Sequence, residues 1–217
     1  MEPLALPSQA HAVGAVHGRA VPQCLFDAPE DPAEQLFARL ALPVVKYWTC
    51  KRAAAHAAEA MECLGGVGYV EDTDMPRLFR QSPVNGIWEG SGNVMCLDVL
   101  RAMMTSPESI EAYWAEVDLG SGSDRRLDDA AERLRKELAD FDDIEVRARR
   151  IVEALALLLQ GSLLVRHSPS AVADAFVASR LDPDRSARSA FGTLPAGTDL
   201  DAIIERHRPS VTVTAAP

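Results

Sequence analysis

Glu89 lies in the stretch of this 217-residue chain whose residue types and spacing most suggest chemistry, Ile87-Trp88-Glu89-Gly90-Ser91-Gly92-Asn93. A carboxylate beside Ile87 and Trp88 is next to apolar and aromatic surface. Desolvation there disfavours the charged form and yields a base that works near neutral pH. The amides of Gly90, Ser91 and Gly92, at the expected start of a helix, make an anion site suited to phosphate or pyrophosphate. A plainer arrangement uses the same residues: Glu89 as a solvated first-turn acid, and Ser91 or Asn93 as an N-cap. Caps far outnumber active sites, and residue types alone leave both arrangements open.

Gly65-Gly66-Val67-Gly68-Tyr69 is a second glycine cluster. It lacks the G-x-G-x-x-G spacing and follows no strand, so it is not a dinucleotide fingerprint. It suits either a helix end or close approach of backbone to a ligand. The four cysteines (Cys24, Cys50, Cys63, Cys96) are far apart, with no C-x-x-C and no nearby histidine pair. No metal site is expected from them, and they read as reduced thiols of a cytoplasmic protein.

The elements that must position these residues are helical. Ala, Leu and Val dominate the composition while aromatics are 6% of it, which favours helix over strand. Asp31-Pro32 opens a helix whose apolar positions run through Leu36, Phe37, Leu40, Val44, Val45, Trp48, Ala55, Ala58 and Met61 to Leu64, with Pro43 kinking or splitting it. Residues 67–91 read as a long irregular connection, broken by Asp72, Asp74, Pro76, Pro83, Asn85 and Gly86. A helix follows Asn93, and a short one starts at Ser106-Pro107. Beyond a joint at Gly120–Ser123, Ser123 is the expected cap of a helix over 126–138. A longer helix over 142–167 follows, with Ile144, Ile151, Ala154, Leu155, Leu158 and Val165 on one stripe. A short helix to about Leu181 and a last turn at 200–206 complete the pattern. No segment reads as a strand, so the fold class is all-α.

Charge narrows the partners. The chain carries 32 acids and 22 bases, a net charge of −10, which argues against a uniformly basic nucleic-acid binder. The second half is near neutral, with 14 bases and 16 acids in 121–217, and its arginines alternate with acids as on a solvated, ion-paired helix face. No apolar run approaches the ~20 residues that span a bilayer.

Three linked motifs carry a family resemblance: Glu62-Cys63-Leu64-Gly65-Gly66-Val67-Gly68-Tyr69, then Pro76-Arg77-Leu78-Phe79-Arg80, then Ile87 through Asn93 and on to Arg101. Together they resemble the C-terminal helical domain of the acyl-CoA dehydrogenase family, and within it the AidB type of adaptive-response flavoprotein. The resemblance divides the chain into an unmatched, disordered arm over 1–25, the family's helical domain over 26–118, and the AidB-type helical extension over 119–217.

The resemblance implies FAD-dependent α,β-dehydrogenation of an acyl-CoA thioester. Glu89 matches the catalytic glutamate and Gly90 the position whose amide approaches the thioester. Glu62, Cys63, Leu64, Gly65, Gly66, Trp88, Ser91, Gly92 and Asn93 match positions that contact FAD, partly across a subunit interface of a homotetramer. Arg101 matches an arginine implicated in binding double-stranded DNA in the alkylation-damage response, and no membrane partner is implied. The other two domains of such proteins have no counterpart here, and the match begins abruptly at Phe26–Glu30. The chain is therefore expected to be a truncated member, holding little flavin and inactive alone. A DNA-binding helical module and a non-catalytic helical interaction protein are the alternatives.

Overall fold

Asp31 accepts a hydrogen bond from the Ala33 N–H at 2.8 Å, and Pro32 follows in the first turn of a 32-residue helix, α1 (Pro32–Cys63). Its missing N–H costs nothing there. The computed structural model describes residues 31–183 and 191–208, so the expected arm over 1–25 and the junction at Phe26–Glu30 lie outside the described residues. Pro43 does not split α1. It is buried between Ala41 and Val44, and the packing of this half of the helix outweighs one lost internal bond.

Residues 67–91 depart from the expected irregular connection. They form α2 (Gly66–Tyr69), α3 (Met75–Gln81) and a 3-10 turn over Ser82–Gly86. Pro76 and Pro83 lie in the first turns of α3 and of the 3-10 turn, so the two prolines read as breakers are starters. The bundle then continues through α4 (Gly92–Thr105), α5 (Pro107–Asp118), α6 (Arg125–Leu138), α7 (Ile144–His167), α8 (Ser170–Arg180) and α9 (Leu200–His207). The cap of α6 is Asp124, not Ser123: its carboxylate accepts the Arg126 N–H at 2.8 Å and is bridged by the Arg126 side chain. Among the described residues there is no strand, and the fold is all-α.

The core joins the first half of α1 to α4, α5, α6, α7 and α8, with Leu40, Val44, Val99, Tyr113, Ile151, Leu155 and Leu159 fully enclosed. On the α7 stripe Ile151, Leu155 and Leu158 are buried, while Ile144, Ala154 and Val165 are half-buried. Two hydroxyls inside the core, those of Tyr113 and Ser162, are tied to backbone. The Tyr113 phenol donates to the Leu155 carbonyl at 2.5 Å, and burial pushes its pKa well above the usual phenol range. Ser162 Oγ donates to the Val117 carbonyl at 2.8 Å. Burial in α1 stops at Trp48: Ala58 and Met61 are half-buried and Ala55 is exposed. The apolar stripe thus outlasts the core it was expected to face. No helix among the described residues is long and apolar enough to cross a membrane.

Candidate active site

Glu89 is reached by way of one face of α1. Lys46, Tyr47, Cys50 and Lys51 lie one turn apart, the i, i+1, i+4, i+5 spacing that shares a helix surface. Lys46 Nζ donates to the Trp88 carbonyl at 2.9 Å and also to the Gly90 carbonyl. A Cβ added to Gly92 would meet Lys51 Cε at 3.0 Å and a Tyr47 ring carbon at 3.4 Å, and one on Gly86 would meet the Cys50 carbonyl at 3.8 Å. The chain from Gly86 to Gly92 is therefore laid along α1 at close range.

Within that loop Glu89 takes a left-handed backbone, φ 52°, and Gly90 follows at φ 106°. That φ is one that side chains with a Cβ rarely adopt, and a Cβ at Gly90 would also push aside the end of the Met95 side chain, 2.2 Å away. The Glu89 side chain is exposed, and so are Ile87 at 68% and Trp88 at 59%. This corrects the expected apolar shelter, since within this chain both hydrophobic neighbours point outward with the carboxylate and not over it. Beneath the loop, burial raises the Tyr47 phenol to about 12 and the Cys96 thiol to about 11. Both stay protonated at neutral pH.

The start of α4 departs from the plain capping arrangement. Ser91 is at the N-cap and its carbonyl accepts from the Met95 N–H at 3.0 Å, but its hydroxyl caps nothing. Asn93 is inside the helix, where its Oδ1 accepts from Arg149 Nε at 3.2 Å. Ser91 and Asn93 are exposed and Gly92 is half-buried.

The other glycine cluster follows the end of α1. Glu62 and Cys63 are exposed, Leu64 is half-buried, and Gly65 turns the chain at φ 62°. Its glycines do two different jobs. A Cβ at Gly68 would lie 2.3 Å from the Met61 carbonyl, so packing demands that glycine. At Gly65 and Gly66 a Cβ would meet nothing within 4 Å, leaving open backbone on the surface. Lys51 and Cys63 are twelve residues apart on one helix, about 18 Å along its axis. The structure thus sets the two clusters at separate points along α1 and does not merge them.

Within and around the two clusters stand exposed apolar side chains: Val67, Tyr69, Val70, Leu78, Val84, Ile87, Trp88 and Val94. Arg101 is elsewhere on the surface of α4, exposed and 3.7 Å from Asp98, which itself binds Arg39 at 2.9 Å. Many of the later cations face carboxylates, as the interleaved sequence suggests: Arg126 with Asp124 and Asp174, Arg135 with Asp118, Arg150 with Glu137, and Arg166 with Glu116. Sequence reasoning missed Lys46. Its one signal was scarcity, since Lys46, Lys51 and Lys136 are the only lysines in the chain.

The chain is similar to several known proteins. Residues 17–104 match the family model of the acyl-CoA dehydrogenase C-terminal domain. The chain is 41% identical over 160 residues to the putative acyl-CoA dehydrogenase AidB of Escherichia coli, covering 72% of this chain and 29% of that protein. It is 34% identical over 161 residues to acyl-CoA dehydrogenase family member 11 of Caenorhabditis elegans, covering 65% and 26%. Among solved structures it resembles Caenorhabditis elegans ACDH-11 in complex with C11-CoA, with a TM-score of 0.65, 26% identity, and 82% of this chain and 34% of that one covered. The apo-form of Bd2924 gives a TM-score of 0.62 at 28% identity, covering 71% and 31%. The chain spans about a third or less of each of these relatives.

Proposed function

Because the chain belongs to the acyl-CoA dehydrogenase family, of which it carries the C-terminal helical portion, we propose that it supplies the base and one wall of an AidB-type acyl-CoA dehydrogenase site. The observation that carries this reading is the presentation of Glu89, which projects from a loop held against α1, beside a backbone without side chains at Gly90. Glu89 removes the α-proton of the acyl thioester, and the Gly90 amide lies beside the thioester oxygen. FAD supplies the acceptor for the β-hydrogen when bound. The open backbone at Gly65 and Gly66 fits close approach of such an extended group, with Glu62, Cys63, Leu64, Trp88, Ser91, Gly92 and Asn93 as the other contacts.

Glu89 needs shelter from water to act as a base near neutral pH. The described residues leave it exposed, and Ile87 and Trp88 stand ready beside it for a surface to close over all three. That surface belongs to another part of the family fold or to a second copy of the chain, which makes a homo-oligomer part of the reading. Double-stranded DNA is the weaker reading, because the arginines of α6 and α7 largely face carboxylates, and paired cations release few counterions.

Two measurements test the proposal. Titrated with FAD, the chain by itself should retain little flavin, and a strongly yellow protein bleached by acyl-CoA would overturn the need for a second surface. Mixed with Escherichia coli AidB lacking the segment this chain matches, it should restore flavin retention and acyl-CoA bleaching. In that mixture Glu89→Gln should keep the flavin and slow bleaching by several orders of magnitude. Bleaching at the unsubstituted rate would remove Glu89 from the role.

A further inference from the structure

Two carbonyls converge on one ammonium beside Glu89. Lys46 Nζ donates to Trp88 O and to Gly90 O, the groups immediately before and after the candidate base. Both carbonyls lie between the 3-10 turn and α4, outside either helical ladder. Glu89 itself has a positive φ, one of only two non-glycine residues among those described to do so. A side chain with a Cβ holds that conformation only when its surroundings over-determine it.

The other such residue shows how the strain is held. Asp143 has φ 51°, and the carbonyl before it, that of Asp142, accepts from Arg147 at 2.8 Å. At Asp143 the cation grips one flank. At Glu89 it grips both. A lysine suits the second task, because its ammonium is a compact point with three donors, whereas the fork of arginine aims its donors along fixed directions. Lys46 is also well anchored. Its neighbours Tyr47 and Trp48 are buried in the core, so its position is set by the last buried turn of α1.

We infer that Lys46 is the positioning residue of the candidate base: by holding the carbonyls on both sides of Glu89, it fixes the left-handed turn that throws the carboxylate outward. The inference rests on the reading of Glu89 as the base for its catalytic consequence, but not for its structural content. No other cation in the described chain bonds to the backbone of residues 88–90. Removing Lys46 frees the turn to relax while Gly90, Met95 and α4 stay in place. The carboxylate is kept, and its aim is lost.

The test compares the full chain with Lys46→Met and Lys46→Arg by backbone NMR. In the unsubstituted protein, residues 88–90 should show order parameters close to those of the helices and left-handed carbon shifts at Glu89. Lys46→Met should move the Glu89 shifts toward extended values and lower the order of 88–90, while α4 through α8 keep their shifts and the melting temperature stays within a few degrees. Lys46→Arg should restore part of both signals. If Lys46→Met does not fold, Lys46→Gln, which keeps a polar amide at the same depth, takes its place. Unchanged order and shifts at Glu89 in a folded variant lacking the ammonium would overturn the inference.

Turnover separates this inference from the functional reading beneath it. In the reconstituted mixture Lys46→Met should lower kcat by 10- to 100-fold with KM changed less than threefold, and Lys46→Arg should recover part of the loss. If the turn loosens and turnover is unaffected, the clamp stands and Glu89 is not the base. If the turn stays ordered, the clamp falls whatever the turnover.

Discussion

The C-terminal half of α1 with the segment up to Val94, and the bundle from α5 to α8, treat their hydrophobic residues in opposite ways. Between Trp48 and Cys96 no large hydrophobic side chain is buried, although Val67, Tyr69, Val70, Leu78, Val84, Ile87 and Trp88 all lie there. From Pro107 to Leu181 the same residue types form a closed core, and only Leu119, Phe141 and Val146 remain exposed. Scattered exposed hydrophobics need no explanation, but a concentrated group marks a surface that another surface covers. The bundle is a closed core, whereas the segment carrying Glu89 leaves its large hydrophobic side chains open.

Substitutions can break that contrast. Leu159→Ala removes a fully enclosed side chain of α7 and should cost about 2–5 kcal/mol, read as a lower urea midpoint. A loss below about 1 kcal/mol would mean the bundle is loose and the contrast false.

Asp124 sharpens it at intermediate size. Arg126 beside Asp124 holds its carboxyl below the usual carboxylate range, so the folded state takes up this proton less readily than the unfolded one. That contribution is present above the ordinary carboxylate range and fades as pH falls through the depressed folded value. Asp124→Ala also removes the α6 cap, and should cost about 1 kcal/mol near neutral pH and progressively less in acid. A cost that does not fall with acidification would separate α6 from this pairing.

The smallest effect is expected at the open face. Trp88→Ser should move stability by no more than about 0.5 kcal/mol, because its ring lies on the surface of this chain. The same change should still abolish recovery of flavin binding in the reconstituted mixture. If Trp88→Ser destabilises the chain as strongly as Leu159→Ala, the open face is a core in its own right.

Much of the helical framework was legible in the sequence, for reasons that are local. Asp31-Pro32 opens α1, Ser106-Pro107 opens α5, and the 3.6-residue stripe of α7 buries Ile151, Leu155 and Leu158. The segment 67–91 was not legible, because a proline that breaks a helix interior and one that starts a turn are the same residue in the sequence. Ser123 and Asp124 are both good caps, and only the reach of the Asp124 carboxylate to the Arg126 N–H separates them.

The candidate site divides along the same line. Glu89 and its glycines stand within five residues, so their grouping was determined by the sequence itself. What they rest on was not: Lys46 lies 43 residues earlier, and its approach to Trp88 and Gly90 exists only once α1 and the loop pack together. The exposure of Ile87 and Trp88 was likewise beyond the sequence. Adjacency along the chain says which groups are near Glu89, but not which way they face. Residue type and period therefore determined the helices and the candidate base, whereas the packing of the loop on α1 decided what holds that loop and which of its side chains face outward.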